Sequence, residues 1–444
     1  MGRCAVSTQK QKRPFALRAL AAFAGTLAIL FVLLLAAYAL PGERVRQHVY
    51  DSARTIQNEG LYPEYLGFKL FQMDNYTDTL MLFEAASADE LPPLQAMMTN
   101  TAYNVDNFET LADDLAWYIE KDWSTGAQRT DAPTLEPFSY ARYWHGYLIW
   151  LRPLLLLMPY TGVRIVQYIV LFALLAVVLV QLRRRCGLRA AVWFAVSQLA
   201  VSVWFVPHQV QYFTCFMIAY AGCAWVLAKP RRSDVLCLGL LVLGTATAFC
   251  DLLVTPIITL GLPLTCWLLE PQQRLRGGVP QCALAVGGSL CWGTGYALCW
   301  AGKWALAGAV TGNNVLADAL HQAEVRTTAD TWHGMELTWR NIFGFLYDTL
   351  NSHHLFWPAL AVLAVLIVLF LLSIRSKTAL VRALPLALTT CMTPAWFVLL
   401  RTHSIQHGWF TWRALGLTVF AGLAFLYYAC DLRAARRRLQ KGSI

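Results

Sequence analysis

The acidic pair Asp74 and Asp78 stands in the sequence DNYTD, directly before the apolar stretch TLMLF. Carboxylates four residues apart share one face if the segment is helical. A carboxylate beside apolar side chains can accept a proton from a hydroxyl group while that hydroxyl attacks a sugar. The alternative is structural, because Thr77 or Asp78 can equally cap a helix that begins near Leu80. The pair therefore predicts either a general base or a helix junction.

Two arginines, Arg401 and Arg413, stand at the ends of a 13-residue stretch that also contains His403 and His407. Charge at membrane depth is costly and usually functional, so we interpret the two arginines as ligands of an anionic head group. The histidines have the i, i+4 spacing of a zinc-binding helix, but Ser404 stands where that motif needs glutamate. We therefore expect no metal or other cofactor here. The structural alternative is that these residues meet the head groups of ordinary lipids.

The sequence YARYWHGYLIWLRP contains four candidate substrate ligands, namely Arg142, Trp144, His145 and Arg152. A guanidinium matches the oxygens of a phosphate, which makes an anionic substrate one interpretation of the arginines. The other interpretation is that Arg142 pairs with one of the many acids nearby while the aromatic residues anchor the chain at the membrane interface.

Three isolated polar residues, His208, Asp251 and Lys303, stand near the ends of apolar stretches. Each could line a cavity that is open to the outer face. Each is equally explained as a residue at a helix end whose polar groups are hydrogen-bonded within the protein.

The composition excludes an ordinary soluble domain. Hydrophobic residues make up 57% of the 444 residues and charged residues 14%, against about 25% charged in soluble proteins. The apolar runs are continuous and reach the roughly 20 residues that a membrane-spanning helix needs. The net charge of +10 is dispersed between these runs and therefore indicates topology, not a nucleic-acid partner. The sequence predicts an all-α polytopic membrane protein.

About ten transmembrane helices are expected. They are placed at residues 15–40, 162–182, 190–206, 211–228, 235–250, 253–269, 281–301, 354–374, 383–400 and 414–430. With the N-terminus inside, each short inner connection is basic, as at residues 183–185. We therefore expect a plasma-membrane protein with both termini in the cytoplasm and its active face outside.

Two outer loops, at 41–160 and 302–353, are too long to be mere connections. Their mixed apolar and polar residues at helical spacing predict amphipathic juxtamembrane helices. Residues 146–158 are apolar but too short to span, so we expect an interfacial or re-entrant helix there. Basic cytoplasmic tails are expected at 1–14 and 431–444, flanking one transmembrane domain at 15–430.

This layout resembles the GT-C class of membrane glycosyltransferases, which take a sugar from a polyprenyl-phosphate carrier on the outer face. The stretches DNYTDTLML, ARYWHGYLIWLRP and HSIQHGWFTWR also resemble those of uncharacterised bacterial multi-pass proteins. The resemblance implies that Asp78, with Asp74 second, is the base. It also implies that Lys303, Arg401 and Arg413 bind the lipid phosphate, with His403 and His407 beside them. Four rival bases remain in the first outer loop, namely Asp51, Asp106, Asp113 and Asp114.

The resulting hypothesis is an inverting glycosyltransferase that acts on a glycan or lipid acceptor of the cell envelope. The donor would be a polyprenyl-phosphate-linked sugar, and membrane lipids would surround the protein. Substrate contacts would come from Arg142, Trp144, His145, Arg152, His208 and Asp251. The alternatives are a transporter or flippase and a non-catalytic binding protein for a lipid-linked saccharide. The flippase predicts ionisable groups through the membrane midplane, whereas the candidates cluster at the outer ends of the helices.

Overall fold

The structure is a computed structural model of the full chain. It describes residues 14–88, 90–104, 136–276, 278–328, 331–332, 335–336, 338, 341, 344–351, 354–431 and 433. The candidate bases Asp106, Asp113 and Asp114 lie outside the described residues, as do nearly all residues of the two tails.

Helices dominate the described residues. Those before residue 201 are α1 (Phe15–Tyr38), α2 (Glu43–Glu59), α3 (Asn75–Ser87), α4 (Pro93–Thr99), α5 (Leu148–Leu157), α6 (Tyr160–Cys186) and α7 (Leu188–Ala200). Those up to residue 311 are α8 (Val210–Ala228), α9 (Ser233–Cys250), α10 (Ile257–Leu269), α11 (Pro271–Arg274) and α12 (Gly278–Thr311). The remainder are α13 (Val315–Thr328), α14 (Gly344–Asn351), α15 (Phe356–Ser373), α16 (Lys377–Leu399), α17 (Arg401–Gln406), α18 (Gly408–Thr411) and α19 (Leu415–Ala429).

Two small antiparallel ribbons interrupt the helices. In the first, β1 (Thr101–Asn104) pairs with β2 (Glu136–Ser139), so that Thr101 lies opposite Ser139. In the second, β3 (Thr331–Trp332) pairs with β4 (Met335–Glu336).

Eight helical stretches among the described residues are long and apolar enough to cross a membrane. They are α1, α6, α8, α9, α12, α15, α16 and the continuous stretch Gly408–Ala429. The prediction of an all-α multi-pass membrane protein is therefore confirmed. The other two predicted spans, 190–206 and 253–269, fall on α7 and α10, which have 13 residues each. A helix of that length rises about 20 Å, less than the roughly 30 Å of the hydrocarbon core.

The helix bundle has one end that is rich in arginine, here called the arginine end. Arg18 pairs with Asp234 at 2.8 Å, where α1 and α9 begin. Arg185 pairs with Glu270 at 2.7 Å, where α6 and α10 end. Arg189 donates to Tyr427, which joins the start of α7 to the end of α19. The basic connections that the sequence predicts on one face thus do meet at one end of the bundle.

At the opposite end, here called the loop end, helices α2 to α5 pack on the long helices. α2 buries Val45, Val49 and Ile56, a spacing that gives it one apolar face, as predicted for an amphipathic helix. α3 is different, because it is buried on nearly every side. α5 contains Pro153 and has ten residues, too few to span, as predicted for 146–158.

Candidate functional site

Asp78 lies on α3 and is fully buried. Its carboxylate accepts hydrogen bonds from the backbone N–H groups of Val210 (3.0 Å) and Gln211 (3.3 Å), which begin α8. The hydroxyl of Tyr160 donates to the same carboxylate. Burial raises the pKa of Asp78 to about 8, although these amides lower it. Asp78 thus joins α3 to the positive N-terminal end of α8.

Asp74 is the N-cap of α3. One carboxylate oxygen accepts from the backbone N–H of Thr77 (3.0 Å) and the other from its hydroxyl (2.9 Å). The side chain is 2% exposed, and burial raises its pKa above the ordinary value. The side chains of Gln211 and Trp409 also face this carboxylate and lower its pKa. Asp74 therefore connects the first loop with α18.

Aromatic side chains surround Asp74. The Tyr62 ring lies 6.3 Å from the rings of both Tyr76 and Trp409, measured between centroids. Tyr62 is 40% exposed, so this aromatic group reaches the protein surface. Rings with an apolar body and a polar tip beside a carboxylate suit a sugar, which presents both C–H and hydroxyl groups.

Arg413 is buried directly after α18, in the 3₁₀ turn Trp412–Ala414. Its Nη1 donates to the carbonyl of Trp409 at 3.1 Å, and its guanidinium carbon lies 4.6 Å from the centre of the Tyr212 ring. Its Nε and Nη2 have no hydrogen-bond partner among the described residues. A buried guanidinium without a counter-ion is costly. This position therefore suits an anion.

Further buried polar atoms in the stretch 402–411 lack partners within the described part of the chain. They are the hydroxyls of Thr402 and Thr411 and the Nδ1 atoms of His403 and His407. Nε2 of His403 donates to the carbonyl of Leu253 at 2.8 Å, so Nδ1 carries the lone pair. Arg401 lies at the start of α17 and is partly buried.

Both histidines are neutral near pH 7. Burial lowers the pKa of His403 well below its usual range, and the neighbouring His407 and Arg326 lower it further. Burial and then Arg326 lower the pKa of His407 to about 4. The positive charge of this region therefore belongs to the arginines, while the histidines contribute neutral hydrogen-bonding groups.

An aromatic cavity of about 120 Å³ lies beside His403, whose hydrogen-bond partner Leu253 lines it. Its walls include Tyr296, Trp300 and Trp304 of α12. Two arginines also line this aromatic cavity. Nη1 of Arg142 lies 3.3 Å from the carboxylate of Asp318, and Nη1 of Arg326 donates to the hydroxyl of Tyr143 at 2.7 Å.

The sequence did not identify Arg326 as a candidate site residue. It stands in α13, in the polar sequence HQAEVRTT, which gives no sign that this arginine differs from an ordinary exposed one. Only the packing of α13 over Tyr143 and the two histidines places its charge at the cavity.

Trp144 and His145 belong to a buried network that fixes the turn before α5. Nε1 of Trp144 donates to the carbonyl of Cys299 at 2.8 Å. Nδ1 of His145 lies 2.6 Å from the carboxylate of Glu84, to which Tyr147 also donates. His145 has a φ of 55°, a conformation that costs free energy for a residue with a Cβ. Glu84 was also missed, because its place inside the apolar helix α3 hides its partners.

Lys303 and Arg152 bind backbone carbonyl groups. Nζ of Lys303 donates to the carbonyl of Met97 (2.7 Å) and to Oδ1 of Asn100 (2.6 Å). Arg152 donates to the carbonyls of Ala37 (2.8 Å) and Tyr38 (3.1 Å) at the end of α1. Both side chains are fully buried. Lys303 thus joins α12 to α4, and Arg152 joins α5 to the end of α1.

His208 belongs to a polar cluster around Glu59 and Arg164. Two nitrogens of Arg164 contact the two oxygens of Glu59 at 2.5 and 2.8 Å. Nε2 of His208 lies 3.8 Å from Glu59 and 2.7 Å from the hydroxyl of Tyr65. Burial raises the pKa of Glu59, but bonds from His208 and Arg164 outweigh it and lower the pKa to about 2. This cluster packs against Asn75, next to Asp74 in sequence.

Asp251 shapes the turn between α9 and α10. Its carboxylate accepts from the backbone N–H of Val254 at 3.1 Å, and burial raises its pKa to about 6. Leu253, inside this turn, has a φ of 69° and offers its carbonyl to His403. Asp251 therefore positions His403 from a distance. Asp51 is exposed on α2, and no group of metal-binding side chains occurs within the described ranges.

No protein-family model, no curated protein and no solved structure matches this chain.

Proposed function

We propose that this chain is a membrane glycosyltransferase that moves a sugar from a polyprenyl-phosphate donor to a hydroxyl group at the loop end. One observation carries the proposal, namely that the buried Arg413, with two unpartnered nitrogens, adjoins the aromatic surroundings of Asp74. Trp409 connects them, since its carbonyl accepts from Arg413 and its indole faces Asp74. An anion site and a carboxylate beside aromatic rings are the two parts that such a transfer needs.

In the proposed step, the acceptor hydroxyl oxygen attacks the anomeric carbon of the sugar. The bond from that carbon to the phosphate oxygen breaks, and the proton of the hydroxyl passes to Asp74. Polyprenyl phosphate leaves with its charge compensated by Arg413. We assign the base to Asp74 and not to Asp78, because Asp74 faces Trp409 and the aromatic group that reaches the surface, whereas Asp78 is enclosed between α3 and α8. Three hydrogen bonds also tie Asp78 to α8 and Tyr160.

The aromatic cavity suits the apolar part of such a donor. Its tryptophan walls favour an isoprenoid chain, and Arg142 and Arg326 at its lining favour the phosphate. The resemblance to GT-C enzymes agrees with an acidic residue in the first long loop and cations in the later ones.

The proposed topology has ten passes, both termini in the cytoplasm and the loop end outside the plasma membrane. Two observations support it. The short helix α10 runs from Leu253, near the loop end, to Glu270 at the arginine end. The short helix α7 runs from Arg189 at the arginine end toward His208, which contacts Tyr65 of the first loop. The basic connections gather at the arginine end, as cytoplasmic connections do.

The decisive experiment uses purified full-length protein in detergent with a panel of radiolabelled polyprenyl-phosphate sugars and an extract of envelope lipids and glycans as acceptor. Labelled product and free polyprenyl phosphate are measured together. Asp74→Asn should lower turnover about 10² to 10⁴-fold, the usual contribution of a general base. The fold should persist, because asparagine caps a helix as well as aspartate does. Arg413→Gln should also lower turnover.

The matched controls are Asp51→Asn, an exposed acid of the same loop, and Arg189→Gln at the arginine end. Both should turn over like the wild type. Full turnover by Asp74→Asn would exclude Asp74 as the base. Saturable binding of one donor without turnover by the wild type, with transfer between the leaflets of vesicles, would instead favour a flippase.

A further inference from the structure

A second cavity lies at the arginine end, at the opposite end of the bundle from Asp74 and Arg413. It has a volume of about 360 Å³ and lies between α11, the start of α12, the start of α16 and the end of α19. Its polar lining includes Gln273, Arg274, Gln281, Arg375, Ser376 and Arg382. We call it the arginine cavity.

Three arginines and no carboxylate line the arginine cavity within the described residues. The nearby Glu270 is already engaged, since it accepts from Arg185 at 2.7 Å and from Gln272 at 2.7 Å. The arginine cavity therefore carries a concentrated positive charge, and none of the described residues that line it is a counter-ion.

Two of the three arginines are held in place by the fold. Nη1 of Arg274 donates to the hydroxyl of Tyr428 at 2.5 Å, and its guanidinium lies 4.9 Å from the centre of that ring. Its buried Nε has no partner among the described residues. Nε of Arg375 donates to the carbonyl of Cys430 at 2.5 Å. Fixed guanidinium groups lose little conformational entropy when they bind an anion.

Neutral donors complete the lining. Ser376 caps the 23-residue helix α16, its hydroxyl oxygen accepting from the N–H of Ala379 at 3.1 Å. The positive end of this helix thus meets the cavity at Ser376 and Thr378. Nε2 of Gln281 donates to the carbonyl of Gln273 at 3.1 Å, which fixes a second wall.

We propose that the arginine cavity binds an anionic ligand that presents a phosphate group. Arginine forks match phosphate oxygens in geometry as well as in charge. The phosphate could belong to an anionic phospholipid head group or to a soluble phosphate compound, and both present the same chemistry to Arg274, Arg375 and Arg382. The site is independent of the glycosyl transfer proposed at the loop end.

The test uses full-length protein with two probes at constant ionic strength. The first is inorganic pyrophosphate, added to protein in neutral detergent. The second is phosphatidylglycerol, added as a spin-labelled lipid to protein in phosphatidylcholine nanodiscs. Binding is measured by calorimetry for the first probe and by lipid immobilisation for the second. The variant is R375Q/R382Q, and the matched control is R183Q/R184Q, which removes two exposed arginines at the same end outside the cavity.

The wild type and R183Q/R184Q should bind at least one probe with equal affinity, and R375Q/R382Q should bind it at least about tenfold more weakly. Binding of pyrophosphate identifies a soluble ligand, and binding of phosphatidylglycerol alone identifies a lipid. Arg382→Gln alone, at an exposed side chain, should weaken binding with an unchanged melting temperature, which separates ligand loss from misfolding. Equal weakening in both double variants, or no binding of either probe to the wild type, would overturn the proposal.

Discussion

Asp74 and Asp78 stand four residues apart, yet their surroundings give them different tasks. Asp78 accepts hydrogen bonds from the first amides of α8 and from the hydroxyl of Tyr160. Its oxygens therefore stabilise the packing of α3 against α8. Asp74 caps its own helix and faces Gln211 and Trp409, on the side where aromatic rings reach the surface. The predicted cap was wrong in its residue, because the helix begins at Asn75 with Asp74 as its N-cap and not near Leu80 with Thr77 or Asp78. The role of either carboxylate as a base stays a prediction.

Asp78 should make stability depend on pH. Its pKa is raised to about 8 in the folded protein, whereas an unfolded aspartate has a pKa of about 3.9. Between these two pKa values the folded state holds a proton that the unfolded state has lost. The stabilisation of the folded state by protonated Asp78 is therefore complete below about pH 4 and is lost as the pH rises to about 8. In Asp78→Asn the melting temperature should fall less than in the wild type between pH 5 and 8.5.

Thermal unfolding followed by tryptophan fluorescence gives this comparison, with Asp51→Asn as the control for removing an exposed acid of the same loop. Parallel curves for the wild type and Asp78→Asn would mean that Asp78 is ionised in the folded protein.

At the scale of secondary structure, Lys303 of the long helix α12 joins that helix to α4 at the loop end. The ammonium group of Lys303 binds the carbonyl of Met97 and the side chain of Asn100, so α12 carries α4. Asn100 in turn donates to the hydroxyl of Tyr38 at the end of α1. Charge-assisted bonds of this kind contribute about 1.5 to 3 kcal/mol each.

Lys303→Met should therefore lower the melting temperature markedly while leaving the KM for the donor unchanged in the fraction that folds. The reason is that methionine fills the space but leaves the buried oxygens of Met97 and Asn100 unpaired. Arg413→Gln should show the reverse pattern, with a raised donor KM and a nearly unchanged melting temperature. A raised donor KM in Lys303→Met would return Lys303 to the phosphate-binding group.

The sequence predicted those elements whose burial depends mainly on neighbouring residues in the chain. The apolar face of α2 follows from its own periodicity, and the helix at 148–157 follows from its length and Pro153. α3 could not be predicted as a buried helix, because its burial depends on α2 and α8, which are distant in the chain. For the same reason the partners of Glu84 and Arg326 are visible only in three dimensions.

At the scale of the whole molecule, the charges divide between two ends, and this division predicts an orientation. Arg184 is exposed at the arginine end and Asp51 is exposed at the loop end. In intact bacterial cells that express each variant, a membrane-impermeant maleimide should label Asp51→Cys directly and Arg184→Cys only after permeabilisation. Wild-type protein gives the background from native cysteines. The opposite order of labelling would invert the proposed topology.

Composition and charge were sufficient to predict the class of architecture and which segments share an end. Which residues form the site stays a prediction. Between residues 402 and 413, several buried polar atoms have no partner among the described residues, whereas Lys303 and Arg152 donate to backbone carbonyls. An isolated cation in a sequence looks the same in both roles, because the difference lies in which distant carbonyl or carboxylate it meets.

The length of α12 links the protein to the thickness of its membrane. Its 34 residues rise about 51 Å, roughly 20 Å more than the hydrocarbon core. The helix begins near the arginine end, and near its other end Lys303 binds α4. The part of α12 outside the bilayer therefore determines how far the loop end lies from the hydrocarbon core. A thicker or thinner bilayer changes the tilt of such a rod. Lipid chain length would then determine how far a membrane-bound substrate must rise to meet Asp74.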